Sequence, residues 1–354
     1  MKTFIIAEAG VNHNGSLDMA LKLVEKAAKA GADAVKFQTF KTEKTISRVA
    51  EKADYQKQFT GSNESQLEMV KKLELSYKDF KKIKKHCVKY EIMFLSTGFD
   101  YDSLNFLNDE MAVPMIKLPS GDINNAPLVL QAARTKKDIL LSTGMSTIQD
   151  IHNALAIIYY GYMFEEVPRS FEEVYNIYEE VDKSILKDKV TLLQCTTEYP
   201  TPVEDINLRA IQQLSEEFGL RVGFSDHSKG IDASMLAVAL GATVIEKHFT
   251  LDNNMVGPDH QASLNPSDFA SLVKKIRYAE IALGEKNKFI TNSERKNIEI
   301  ARKSLIANQT IKKGDYFTIE NLIIKRPAKG VNPLKYWDYI GQIAQRDYEE
   351  DELI

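Results

Sequence analysis

The chain is short of cysteine, of like-charged tracts and of long apolar runs, and each shortage excludes a class of protein. Cys87 and Cys195 are the only cysteines in 354 residues. A disulfide framework therefore does not hold the fold, and a reducing, cytoplasmic location is expected. No apolar run approaches the ~20 residues of a membrane span. Phe4-Ile5-Ile6-Ala7 is too short for the apolar region of a signal peptide and runs straight into Glu8. No membrane partner is expected. The net charge is −4 with both signs spread along the chain. The lysine clusters at 71–72, 81–82 and 84–85 have apolar residues between them and read as solvated helix faces, so no nucleic-acid partner is expected. What remains is a soluble globular composition, long enough for one large domain and a small one.

What is present is a rhythm of short apolar strands and amphipathic helices. Thr3 to Ala7 is the first strand. Asn14-Gly15 turns the chain, Ser16 caps a helix to about Ala30, and Gly31 closes it. Further strands are read at Asp33–Gln38, Ile92–Leu95, Met115–Leu118, Asp138–Leu141 and Val190–Gln194, then in Arg221–Phe224 and Ala242–Ile245. Helices are read at Tyr77–Tyr90, Asp102–Asp109, from Pro127, from Thr147, and at Pro266–Leu283. Eight strands alternating with helices predict a (β/α)₈ TIM barrel over residues 1–284. A doubly wound open sheet is the alternative. The barrel is favoured because all eight strands finish in hydroxyl, amide or charged groups, where barrel active sites lie. Residues 41–75 form a long polar stretch, either a substrate lid or solvated packing, with Tyr55 and Phe59 as its anchors. Residues 159–189 read as an extra helical excursion at the bottom of the unit, with no chemistry assigned. Residues 285–303 read as a linker. Residues 304–354 read as a small β-rich domain, too small for an independent core and so expected to pack on something.

Two strand ends organise the chemistry. Ser225-Asp226-His227 and Glu246-Lys247-His248-Phe249-Thr250 place imidazoles on neighbouring strands. One histidine at a strand end is more often a hydrogen-bonded loop residue. Two, each beside carboxylate and hydroxyl groups, make a candidate metal pair, His227 and His248. Thr97-Gly98, Ser120-Gly121 and Thr143-Gly144 end three consecutive strands. With Lys36 and Lys117 they suggest a pocket for phosphate or carboxylate. Glu8, Asp122, Glu198, Asp226, Glu246 and Asp259 are the available carboxylates. Metal beside an anion pocket suits Lewis-acid activation of a carbonyl. A Schiff-base lysine, with Lys36, Lys117 or Lys247 in that role, is the competing chemistry.

The sequence resembles the sialic acid synthase family along its whole length. The resemblance is carried by Glu8-Ala9-Gly10-Val11-Asn12-His13-Asn14-Gly15, Lys36-Phe37-Gln38-Thr39, Ser120-Gly121-Asp122, Ser142-Thr143-Gly144-Met145 and Cys195-Thr196-Thr197-Glu198-Tyr199-Pro200, by the two histidine blocks, and by Gly257-Pro258-Asp259. Lys325-Arg326-Pro327 lies in a piece that looks like the family's antifreeze-like (SAF) domain. The resemblance implies condensation of phosphoenolpyruvate with an N-acetylated amino sugar. The sugar would be N-acetylmannosamine, giving N-acetylneuraminate. The alternative is 2,4-diacetamido-2,4,6-trideoxymannose, giving N,N'-diacetyllegionaminate. A synthase acting on a phosphorylated aldose and a non-catalytic sugar-binding relative are the remaining readings. His227 and His248 would hold Mn²⁺ or Mg²⁺. Lys36, Thr97, Lys117, Ser120, Ser142 and Ser225 would grip phosphoenolpyruvate. Gln38, Tyr199 and Asp259 would contact the sugar, and Glu8 and Asp122 would manage water and its proton. Arg326 would come from the partner of a domain-swapped homodimer. Two departures stand out. Asp122 replaces a glutamate found in many relatives, and Ala328-Lys329-Gly330 departs from the usual pattern after the arginine.

Overall fold

The computed structural model describes residues 2–52, 57 and 64–354, so the calls on Tyr55 and Phe59 lie outside the described residues. Two compact units are present, Met1–Gly284 and Glu285–Ile354.

The first unit is a closed barrel of eight parallel strands in sequence order. They are β1 (Phe4–Gly10), β2 (Ala34–Thr39), β3 (Met93–Gly98), β4 (Met115–Leu118), β5 (Asp138–Ser142), β6 (Val190–Gln194), β7 (Arg221–Asp226) and β8 (Val244–His248). The helix Leu17–Ala30 begins at Ser16, whose side chain accepts from the Met19 N–H, and ends at Gly31 in the left-handed region. Asn265 caps Pro266–Leu283 in the same way. The first helix begins and ends at the cap residues read from the sequence, Ser16 and Gly31.

Several boundaries differ from the sequence reading. β1 and β3 run three residues further, because the polar ends Glu8-Ala9-Gly10 and Ser96-Thr97-Gly98 stay in the sheet. The helix expected over 102–109 is α-helical only at Tyr101–Asn105 and widens to a π-helix over Phe106–Glu110. The excursion begins later than 159, since Tyr159, Tyr160 and Tyr162 are buried in the barrel helix Ile148–Met163. Gly161 lets that helix approach its neighbour closely, as an added Cβ would lie 2.5 Å from the Ala133 Cβ. The excursion proper is the two helices Phe171–Glu180 and Ser184–Lys189.

Alternation along the strands sets the interior in layers. Ile6, Ala34, Leu95, Leu140, Leu193 and Val244 form one apolar plug inside the barrel. Two residues further along the same strands stand Glu8, Lys36, Thr97, Ser142, Cys195 and Glu246. The plug therefore floors a charged layer at the C-terminal end. Register places Glu8 beside both Lys36 and His248, Thr97 beside Lys117, and Ser225 beside Glu246. The opposite parity faces the helices. Asp226 and Lys247 pair there at 3.0 Å, fully buried, and Asp226 also accepts from Ser234 on the helix Asp232–Ala239. Lys247 thus faces away from the barrel interior, which removes it as a Schiff-base candidate.

The second unit contains an antiparallel pair, β9 (Ser304–Ala307) and β10 (Leu322–Lys325). Its core is built on Leu305, Ile311, Phe317, Leu322 and Ala344.

Candidate active site

The charged layer encloses a cavity of about 220 Å³ whose wall includes Glu8, Lys36, Lys117, Ser142, Ser225 and Glu246. Lys36 lies 2.7 Å from Glu8 and 3.6 Å from Glu246. Lys117 lies 3.5 Å from Glu246 and donates to the Ser142 hydroxyl at 2.8 Å. Lys36 also donates to Thr97, Gln38 to Glu8, and Ser225 to Glu246. Two ammonium groups and two carboxylates are thus held within a few ångströms out of water. Burial pushes Glu8 well above the ordinary carboxylate range, against the pull of Lys36. Burial acts on Glu246 too, but Lys117 and Lys36 outweigh it and hold that carboxyl well below its ordinary value. Burial lowers Lys117. Lys36 is raised despite burial, because Glu246 and Glu8 favour its charge. The two carboxylates are therefore divided into one that can carry a proton and one that stays charged.

The imidazoles stand at the edge of this layer, ring centroids 5.6 Å apart, with the Tyr199 ring 4.2 Å from His227 and 5.5 Å from His248. His227 Nδ1 donates to the Thr196 carbonyl at 2.7 Å, which leaves the lone pair on Nε2, 3.3 Å from the Ser225 hydroxyl. Burial lowers His227 to about 4 and His248 well below the ordinary range, so both rings are neutral. His248 Nδ1 is buried and has no hydrogen-bond partner among the described residues. Two neutral imidazoles, one with its tautomer fixed by a backbone carbonyl, fit a divalent cation. Among the described residues no group of three or more His, Cys, Asp or Glu gathers to hold an ion, so the remaining positions of any ion would fall to water or substrate.

A second cavity of about 310 Å³ shares Gln38, Phe99, Tyr199 and His248 with the first. Asp259 lines it, and burial pushes that carboxyl up to about 6. Glu8, Lys36, Gln38, Thr97, Lys117, Ser120, Ser142, Tyr199, Ser225, His227, His248 and Asp259 therefore line one or other of two adjoining cavities. Asp122 does not line either of them. It sits on the turn after β4 and accepts from the Asn125 side chain at 3.0 Å. Glu198 is exposed. Arg326 belongs to the second unit, where its Nε donates to the Ala301 carbonyl.

Sequence reasoning undervalued Glu246, the carboxylate that meets both lysines. Its signal was the parity of β8, which puts Val244, Glu246 and His248 on one face. The reverse held for Asn12-His13-Asn14, which joins two loops instead of lining a cavity. Asn12 donates to the Phe249 carbonyl and to Ser263, while Asn14 donates to the Val256 carbonyl and meets His260 at 3.1 Å. His13 Nδ1 accepts from the Gly15 N–H, and burial lowers the ring to about 4, with His260 adding to the effect. This gives a pH-dependent stability. Below about pH 6.5 the unfolded chain binds a proton that folded His13 refuses until about pH 4. Stability present at neutral pH is therefore lost on acidification through that window, by about 3 kcal/mol for this ring. Urea midpoints followed from pH 7.5 to 4.5 should fall less steeply in His13→Asn than in the wild type. Equal slopes would assign the loss to other groups.

Fold and site together define a protein of the (β/α)₈ class whose strand ends hold two buried lysines and two buried carboxylates beside a pair of neutral imidazoles. Residues 23–288 match the NeuB family. The chain is 48% identical over 353 residues to an N,N'-diacetyllegionaminic acid synthase of Campylobacter jejuni, covering 100% of this chain and 99% of that protein. It is 40% identical to the Legionella pneumophila protein of the same name, covering 96% and 90%. A crystal structure of an N-acetylneuraminic acid synthetase from Leptospira borgpetersenii, solved with citrate, superposes with a TM-score of 0.68 at 33% identity, covering 84% of this chain and 91% of that one. The protein belongs to the NeuB family, the sialic acid synthases.

Proposed function

We propose that the protein condenses phosphoenolpyruvate with the open-chain form of an N-acetylated amino sugar, releasing phosphate and a nine-carbon 2-keto sugar acid. The observation that carries this is the buried layer of two lysines and two carboxylates lying directly beside two neutral imidazoles. Lys36 and Lys117, with Thr97, Ser120, Ser142 and Ser225, hold the phosphate and carboxylate groups. The three-carbon unit then presents C3 toward the second cavity. Gln38, Tyr199 and Asp259 hold the sugar so that its aldehyde carbon meets C3. A carbon–carbon bond forms, water adds at C2, and phosphate departs with cleavage of the C–O bond. Glu8, the carboxyl that burial disposes to carry a proton, moves the proton of that water. Asp122 would act only through an intervening water, since its carboxylate is turned to Asn125. A Mn²⁺ or Mg²⁺ ion held by His227 and His248 would supply Lewis-acid polarisation of the aldehyde.

The antifreeze-like reading of the second unit, with Arg326 delivered to a partner's sugar site in a homodimer, is supported by the apolar groups that unit exposes, Ile319, Leu334 and Trp337 among them. N-acetylmannosamine is the first reading of the sugar. The kinship with two diacetyllegionaminic acid synthases favours the second, 2,4-diacetamido-2,4,6-trideoxymannose. Phosphate release from phosphoenolpyruvate with Mn²⁺ present, measured with each sugar, separates the two. Release with neither would remove the proposal.

A further inference from the structure

We propose that His260 and Ser263 are positioning residues for the condensation, fixing the turn that aims the Asp259 carboxylate into the second cavity. The inference rests on the reading of the reaction given above, in which Asp259 holds the sugar. Asp259 lines that cavity and is buried. Among the described residues no side chain holds its carboxylate by a hydrogen bond, and burial alone shifts its titration. Its direction is therefore set by the backbone that carries it.

That backbone is held at two successive carbonyls. The Ser263 hydroxyl donates to the Asp259 carbonyl at 2.6 Å and itself accepts from the Asn12 side chain at 2.9 Å. The Ser263 N–H donates to the His260 carbonyl at 3.2 Å, and the Asn253 side chain donates to the same carbonyl at 3.1 Å. The His260 ring is wedged between two loops. Asn14 Nδ2 donates to the Val256 carbonyl, which turns its Oδ1 toward His260 Nε2 at 3.1 Å. An amide oxygen only accepts, so Nε2 carries the hydrogen, and Nδ1 accepts from the Thr250 hydroxyl at 2.7 Å. Burial lowers this ring to about 4, so it keeps that single neutral tautomer. A Cβ added to Gly257 would lie 2.6 Å from the ring's Cδ2 and 2.9 Å from its Nε2, so the turn closes tightly on the imidazole. The ends of the loop are tied as well. The Thr250 N–H donates to the Leu264 carbonyl at 2.9 Å, and the Leu264 N–H to the His248 carbonyl at 2.8 Å.

His260 and Ser263 line neither cavity, so they act through Asp259 and not on the sugar. A buried network of this kind suits a carboxylate that must be held to a fraction of an ångström, since a displacement of about 1 Å can cost about 10²-fold in rate. Asn12 and Asn14 thereby gain a part in the reaction. They are the far anchors of the turn, reaching from the loop after β1 to the loop after β8.

The test is steady-state phosphate release by the full-length protein with Mn²⁺, using whichever of the two amino sugars supports it, in wild type, Ser263→Ala and His260→Ala. The KM for the sugar is expected to rise about 10–100-fold in each variant, the range of one hydrogen bond to a charged group. The KM for phosphoenolpyruvate should stay within about twofold. Ser263→Ala removes a single oxygen, so the test stands even if loss of the His260 ring prevents folding. A residue that only stabilised the fold would lower Tm and leave the sugar KM of the folded enzyme unchanged. In an Asp259→Ala background, Ser263→Ala should raise the sugar KM by no more than about twofold further, because both changes act through one carboxylate. An unchanged sugar KM in folded Ser263→Ala, equal rises in KM for the two substrates, or a full additional rise without Asp259 would each overturn the inference and leave the synthase reading intact. No phosphate from the wild type with either sugar would remove the synthase reading and this inference with it.

Discussion

The substitution His227→Ala is expected to lower kcat/KM for phosphate release by about 10²–10³-fold, the several kcal/mol that a Lewis acid contributes at a carbonyl. His227 is proposed as a ligand because of its geometry. Its Nδ1 is committed to the Thr196 carbonyl, so the remaining nitrogen carries the lone pair, 3.3 Å from the Ser225 hydroxyl on a ring that neighbours those of His248 and Tyr199. Burial keeps the ring neutral down to about pH 4, so no proton competes for that lone pair in the working range. A second readout isolates binding from turnover. Mn²⁺ affinity of the substrate-free protein, measured by titration, should weaken by about tenfold or more in the same variant. Thermal unfolding checks that the variant remains cooperative, because removing a buried ring also leaves a cavity. Unchanged turnover together with unchanged Mn²⁺ affinity would remove His227 from the metal assignment.

Much of this site was legible because strand parity is legible. Lys36, Lys117 and Ser142 each stand two residues beyond an apolar residue, Ser225 two beyond Gly223 and His248 four beyond Val244, and a closed barrel gathers such even steps on one side of the sheet. The two helix ends at Ser16 and Gly31 were equally readable, since capping is a local contest decided by one side chain. What parity could not supply was partnership across strands. Glu246 and Glu8 are both strand-end glutamates, and nothing local says that one faces two lysines while the other is principally paired with one. Lys247 sits between two functional residues and reads as functional, yet its parity sends it to the helix layer and Asp226. Asn12-His13-Asn14 carries the family resemblance but joins the loop after β1 to the loop after β8. A motif marks what is retained, and only packing separates chemistry from architecture. The second cavity was the least legible part. Its apolar wall includes Val11, Phe40, Val70 and Leu73, which come from three local contexts, the loops after β1 and β2 and the end of the helix Gln66–Lys71.

Glu8→Gln should lower kcat by about 10²–10⁴-fold with a much smaller effect on the KM for phosphoenolpyruvate, the signature of a lost proton carrier. Glutamine keeps the shape of the side chain and its contact with Gln38, but it can neither take up a proton nor offset Lys36. The companion Glu246→Gln separates this role from simple charge balance. Glu246 is held ionised by Lys117 and Lys36 and accepts from Ser225, so its loss disturbs the lysines that grip the anion and should act chiefly on KM. The contrast follows from the electrostatics of one small volume. Two buried carboxyls share two buried ammonium groups, and the one with the weaker claim on them is the one that burial leaves able to accept a proton. A Glu8→Gln enzyme within about tenfold of wild-type kcat would transfer the proton role elsewhere in the layer. Equal KM effects in the two variants would reduce both glutamates to counter-charges for Lys36 and Lys117.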